Sequence, residues 1–184
     1  MVIGKKTKNI IFFYIIAIMI FTVSALAIKN LDLTNYPKPF VSKDILNSII
    51  IVGENAKTGD MIGAINIATN LGPPFESGVI VLDTEIDNIK EQNVIIVGGP
   101  CVNTVAAEVM GYPAKCDQGF DPGKAKIKLF NTGSNVALLV AGYAVDDTVM
   151  ACRLLANYED YDLSGNEIEV AGTVLDDFII KRIE

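Results

Sequence analysis

The sequence predicts an α/β fold, a layered and largely parallel sheet with helices packed on it. Short continuous apolar runs recur along the chain, "SIIIVG", "NVIIVGG" and "NVALLVAGY", as buried strands do. Each is followed by glycine and then by a stretch of helical spacing, so that strand–glycine–helix units start at Ile49, Val94 and Val136. Strands alternating with helices favour a sheet of parallel strands with right-handed crossovers, a Rossmann-like arrangement. At 184 residues and 51% hydrophobic content the chain can bury one sizeable core and is too apolar to be disordered.

The first residues are set apart from this domain. Lys5, Lys6 and Lys8 precede an apolar run over residues 10–27 that ends in Ala25-Leu26-Ala27. A basic start, an apolar stretch and a small-x-small end make an export signal cut after Ala27, and the run is also long enough to approach an uncleaved membrane anchor. Either reading places the remainder outside the cytoplasm, with membrane contact only through this segment. The expected organisation is a signal or anchor at 1–27, a leader at 28–45, the α/β domain at 46–174 and a tail at 175–184.

Within the leader, Pro37 and Pro39 discourage regular structure. The run around Ile49 is the first strand. Residues 58–72 then show helical spacing, with Met61, Ile65 and Ala68 on one stripe and a stop at Gly72-Pro73-Pro74. "GVIVLDT" is the second strand and "NVIIVGG" the third, followed by a short helix over 102–110 that ends at Gly111. In "KAKIKLFNTG", Lys124, Lys126 and Lys128 alternate with Ala125, Ile127 and Leu129. This period of two marks one wet face, and lysines suit a sheet edge. "NVALLVAGY" belongs at the sheet centre. Residues 144–158 form the clearest helix, with Val145, Val149, Cys152 and Ala156 on a stripe and Asp146 and Asp147 in its first turn. "NEIEVAGT" is a last strand, and the tail "LDDFIIKRIE" is ambiguous.

Composition excludes several function classes. The formal charge is −7 with no histidine. An acidic chain lacks the basic face that nucleic acid requires, and no site built on histidine can form within it. Gly98-Gly99 is followed by Pro100, without the Gly-x-Gly-x-x-Gly spacing of a dinucleotide site and without a phosphate-loop lysine. These glycines are expected to let the chain turn tightly into the helix. Asp160, Asp162, Ser164 and Gly165 resemble the front half of a calcium loop, but Ala171 stands where the closing carboxylate should be. No residue pair is singled out for catalysis, no cofactor or metal is expected, and no Asn-x-Ser/Thr glycan acceptor is present.

Export changes the meaning of the cysteines. Cys101, Cys116 and Cys152 leave one over when two pair. The helix after Cys101 would rise ~13 Å, and the residues after it can span up to ~17 Å, enough to return Cys116 to the helix start. A Cys101–Cys116 disulfide is therefore expected, stabilising by about 3 kcal/mol on the chain-entropy model. Cys152 lies in an apolar stripe and reads as a buried small residue. The carboxyl ends of parallel strands are where such sheets bind ligands. Glu54, Asn55, Asn103 and Tyr143 are the candidate polar groups there, with ordinary loop roles as the plainer reading.

Ordered segments carry a family resemblance. Residues 49–72, then "VLDTEI…NVIIVGGPCVNTVAAEVMG", then residues 119–170 resemble, in that order, segments of archaeal S-layer proteins, which tile the cell surface. The likeness covers about residues 49–173. It implies a structural role outside the cell, with other cell-surface proteins or the chain itself as partners, and it supplies no catalytic residues. A binding module for a surface polymer or small ligand is the alternative.

Overall fold

The computed structural model describes residues 31–72, 79–173 and 177–183; the expected signal or anchor at 1–27 lies outside them. No helix among the described residues is long and apolar enough to cross a membrane. A small antiparallel ribbon, β1 (Val41–Ser42) and β2 (Ile45–Leu46), precedes the main elements. These are β3 (Ile49–Val52), α1 (Thr58–Leu71), β4 (Ile80–Leu82), β5 (Val94–Val97), α2 (Thr104–Val109), β6 (Lys124–Asn131), β7 (Val136–Gly142), α3 (Val145–Ala156), β8 (Glu167–Thr173) and β9 (Asp177–Arg182).

The main sheet has seven strands in the order β4-β3-β5-β7-β6-β8-β9. From β4 to β7 neighbours are parallel; from β7 to β9 they are antiparallel. The sheet is thus mixed, not largely parallel, and the domain is α/β without being plainly Rossmann-like. Residues 132–135 join β6 to β7, and a connection that short cannot make the crossover that parallel pairing needs. β7 is central, as its unbroken apolar run predicts.

β6 is not an edge strand. It lies between β7 and β8. Its lysines face Glu167 and Glu169 of β8, with Lys126 and Lys128 at 2.9 and 2.6 Å from Glu167 and Lys124 at 2.9 Å from Glu169. The period of two reported one wet face correctly; the neighbour that keeps β6 off the edge is far away in sequence.

One face of the sheet carries α1 and α3. Ile50, Val52, Ile95, Val97, Leu138 and Val140 pack there against Ile67, Leu71, Met150 and Leu154. The buried side of α1 is Gly63, Ala64, Ile67, Ala68 and Leu71, while Ile62 and Ile65 are exposed. The expected Met61–Ile65–Ala68 stripe is therefore displaced. The small residues turn inward because α3 comes close: a Cβ on Gly63 would lie 2.7 Å from Cys152 Sγ. The opposite face is covered over the parallel half by α2 and Phe120, which enclose Ile51, Val94, Ile96 and Leu139.

Two stretches left without structure by the sequence join this fold. Leu33, Tyr36 and Phe40 of the expected leader are buried in the helix-side core. The ambiguous tail forms β9, whose Phe178 packs edge-on against Tyr161 with ring centroids 5.4 Å apart.

Candidate functional site

The carboxyl ends of β3, β5 and β7 lie side by side because these strands are parallel neighbours. The chain leaves β5 through Gly98, whose φ of +101° few other residues adopt. It then turns through Gly99 and Pro100 into α2, and the backbone N–H of Val102 and Asn103 returns to the Gly99 carbonyl. Over the ends of β5 and β7 lies an open cleft of about 390 Å³, bordered by Lys57 at the start of α1, Tyr143 and Val145 at the start of α3, and the cysteine pair.

Cys101 and Cys116 form a disulfide, with Cα atoms 5.3 Å apart. The return path is short. α2 ends at Val109, and Gly111 and Tyr112 both have positive φ. Cys152 is the free, buried cysteine. Burial, reinforced by nearby Asp60, holds its thiol well above the ordinary value, so it is no nucleophile.

The four candidate polar residues have unequal roles. Asn103 is 1% exposed. Its carbonyl oxygen caps α2, accepting from Val105 and Ala106 N–H at 3.0 and 3.2 Å. Its amide donates to the carbonyls of Ile51 and Val97 at 3.1 and 3.0 Å. Asn103 thus staples β3, β5 and α2 together, and its hydrogen-bonding groups are engaged inside the protein. Glu54 and Asn55 are exposed at the end of β3, outside the set of residues that borders the cleft. Tyr143 borders it and is 46% exposed.

The sequence reading missed the carboxylates that organise this region. Asp60 is 2% exposed. It accepts the Lys57 N–H at 3.0 Å, and the Thr148 hydroxyl, which donates to the Ala144 carbonyl at 3.4 Å, lies close enough to favour its charged form. Burial raises its pKa against those bonds and the Lys57 charge. Thr148 in turn accepts the Gly142 N–H at 2.9 Å, tying α3 to the end of β7. Asp83, just beyond β4, accepts from Glu54 N–H at 2.7 Å and from Thr104 N–H and hydroxyl at 2.7 and 2.8 Å. Burial pushes its pKa up, but the bonds from Thr104, Glu54 and Thr84 outweigh it and the net shift is downward. Asp60 was legible as a carboxylate in a helix first turn. Asp83 had no local signal, because its partners lie on two other segments.

Residues 74–159 match the S-layer like family, outer domain. This stretch is an S-layer-related domain. It runs from just before β4 to the turn after α3, and it holds the disulfide and most of the cleft's border, with Lys57 and Asp60 lying before it. The S-layer-related domain does not complete its sheet alone: β3, which precedes it, lies between β4 and β5, and β8 and β9 follow it. No curated protein matches the chain.

Among the described residues no three acidic or cysteine side chains converge as metal ligands would. Asp160 closes an exposed 3-10 turn, Asp162 follows it, and Ala171 lies within β8.

Proposed function

We propose that this protein is an exported, non-catalytic structural component of the cell envelope, acting by contact with itself or with other cell-surface proteins. The observation that carries this reading is the S-layer-related domain at residues 74–159. The disulfide supports it, since such bonds persist in oxidising compartments. So do the strand ends, where Asn103, Asp83, Asp60 and Thr148 hold segments to each other instead of presenting a reactive set. The acidic balance, −7, suits a partner other than nucleic acid. The first 27 residues serve as export signal or anchor. Separating whole cells into envelope, cytoplasm and medium tests the reading: it expects the protein in the envelope or medium, and a cytoplasmic protein would sink it.

The cleft favours a second reading, an extracytoplasmic binding module. Its 390 Å³ volume and exposed Lys57 and Tyr143 offer one cation and one ring to a small ligand or surface polymer. A screen of cell-surface glycans against the native chain and Tyr143→Ala separates the two: binding lost in the variant supports a module, and no binding supports the structural role alone.

A further inference from the structure

We propose that the outer edge of β9 pairs antiparallel with the β9 edge of a second copy, around a two-fold axis normal to the sheet, making one continuous sheet from two chains. The inference goes beyond the cell-surface role and stands on the strand alone.

β9 ends the sheet, and among the described residues no strand lies beyond it. The Ile183 N–H donates to the Glu167 carbonyl, and Glu169, Ala171 and Thr173 stand opposite Lys181, Ile179 and Asp177. Hydrogen-bonded pairs alternate in an antiparallel ladder. Residues 177, 179 and 181 therefore bond inward to β8, and Phe178, Ile180 and Arg182 direct their N–H and C=O groups outward. Unpaired edges of this kind are templates for another strand.

The edge is self-complementary in one register. Setting Ile179 opposite Ile179 of the second copy places Phe178 opposite Ile180, and these are the residues whose backbone groups point outward. The same register sets Asp177 opposite Lys181 at both ends. Antiparallel pairing thus matches acid with base twice, whereas parallel pairing in register would stack like charges. Each face gains as well. Ile179 is 66% exposed on the face opposite the helices and would meet its own copy. Phe178 and Ile180, already packed on the helix-side core, would extend that apolar surface into the second copy. The opposite edge, β4, is shorter, only Ile80–Leu82.

Cysteine cross-linking of the full chain tests this directly. Residue 179 meets itself in a non-hydrogen-bonded pair with Cα atoms about 4.5 Å apart, within the roughly 4.4–6.8 Å that a disulfide spans. Ile179→Cys is expected to form a disulfide-linked dimer under mild oxidation. Ile45→Cys, at a position 62% exposed but away from β9, is expected to remain largely monomeric, and Cys152 is buried. Mixed Asp177→Cys and Lys181→Cys chains are expected to link to each other. In sedimentation, Asp177→Lys is expected to weaken the dimer about ten-fold, because two attractive pairs become repulsive. The swap Asp177→Lys/Lys181→Asp is expected to restore it. Equal cross-linking of Ile179→Cys and Ile45→Cys, or a swap that leaves the chain monomeric, overturns the proposal. Cellular location is not read in this experiment, so failure of the envelope role and failure of the dimer are distinguishable.

Discussion

Asp83 holds Thr104 by two bonds from one oxygen: Oδ2 accepts both its backbone N–H and its hydroxyl, at 2.7 and 2.8 Å. With Oδ1 on the Glu54 N–H, one carboxylate joins the exits of β3 and β4 to the start of α2. Asparagine would turn an NH₂ toward donors on one side. Asp83→Asn is expected to lower unfolding free energy by about 2–3 kcal/mol, in the range for hydrogen bonds to charged groups. Thr104→Val, which removes only the hydroxyl bond, should cost less. Urea titration of both variants checks the order.

Glu167 gives the fold an acid dependence. Burial pushes its carboxyl up, but Lys128 and Lys126 outweigh that and bring it below its ordinary value of 4.5. The folded-state pKa is thus lower than the unfolded one. Its stabilisation is complete above the unfolded value and is lost as pH falls through the folded value. Glu167→Gln is expected to cost about 1–2 kcal/mol at pH 7, discounted because both lysines are partly exposed and screened. At pH 3 the difference should shrink. Thermal melts across pH measure it; an equal loss at both values would contradict the pairing.

Gly63 and Cys152 set the distance between α1 and α3. Gly63→Ala puts a methyl against Cys152 Sγ, so about 1–3 kcal/mol of destabilisation is expected from overpacking. Cys152→Ala on top should recover part of it, since the sulfur is the nearer atom. A double-mutant cycle reads the coupling.

The disulfide and the buried thiol are expected to separate in a simple titration. Iodoacetamide should leave the native chain unlabelled and should modify Cys152 once denaturant is added. Cys116→Ser is expected to lose about 3 kcal/mol of stability on the chain-entropy model.

What the sequence made legible was what local chemistry decides. The runs at Ile49–Val52, Val94–Val97 and Val136–Gly142 are apolar on both faces, and such strands have few places besides a covered sheet interior. Cys101 and Cys116 are close enough in the chain for simple reach to pair them. The placement of β6 was not legible, because Lys124, Lys126 and Lys128 look alike at an edge and beside a glutamate-bearing strand. Its antiparallel pairing with β7 was there to be read, in the brevity of residues 132–135. The leader escaped because Leu33, Tyr36 and Phe40 anchor it without periodicity among prolines. At the strand ends the candidates were chosen for polarity. Polarity does not distinguish Asn103, buried and engaged with backbone groups, from Tyr143, open to solvent.

The most direct measurement is cell fractionation with intact mass of the protein under non-reducing conditions. A structural envelope role predicts recovery from the envelope or medium, with the Cys101–Cys116 bond formed and Cys152 as the thiol. Recovery from the cytoplasm with all three cysteines reduced would contradict it.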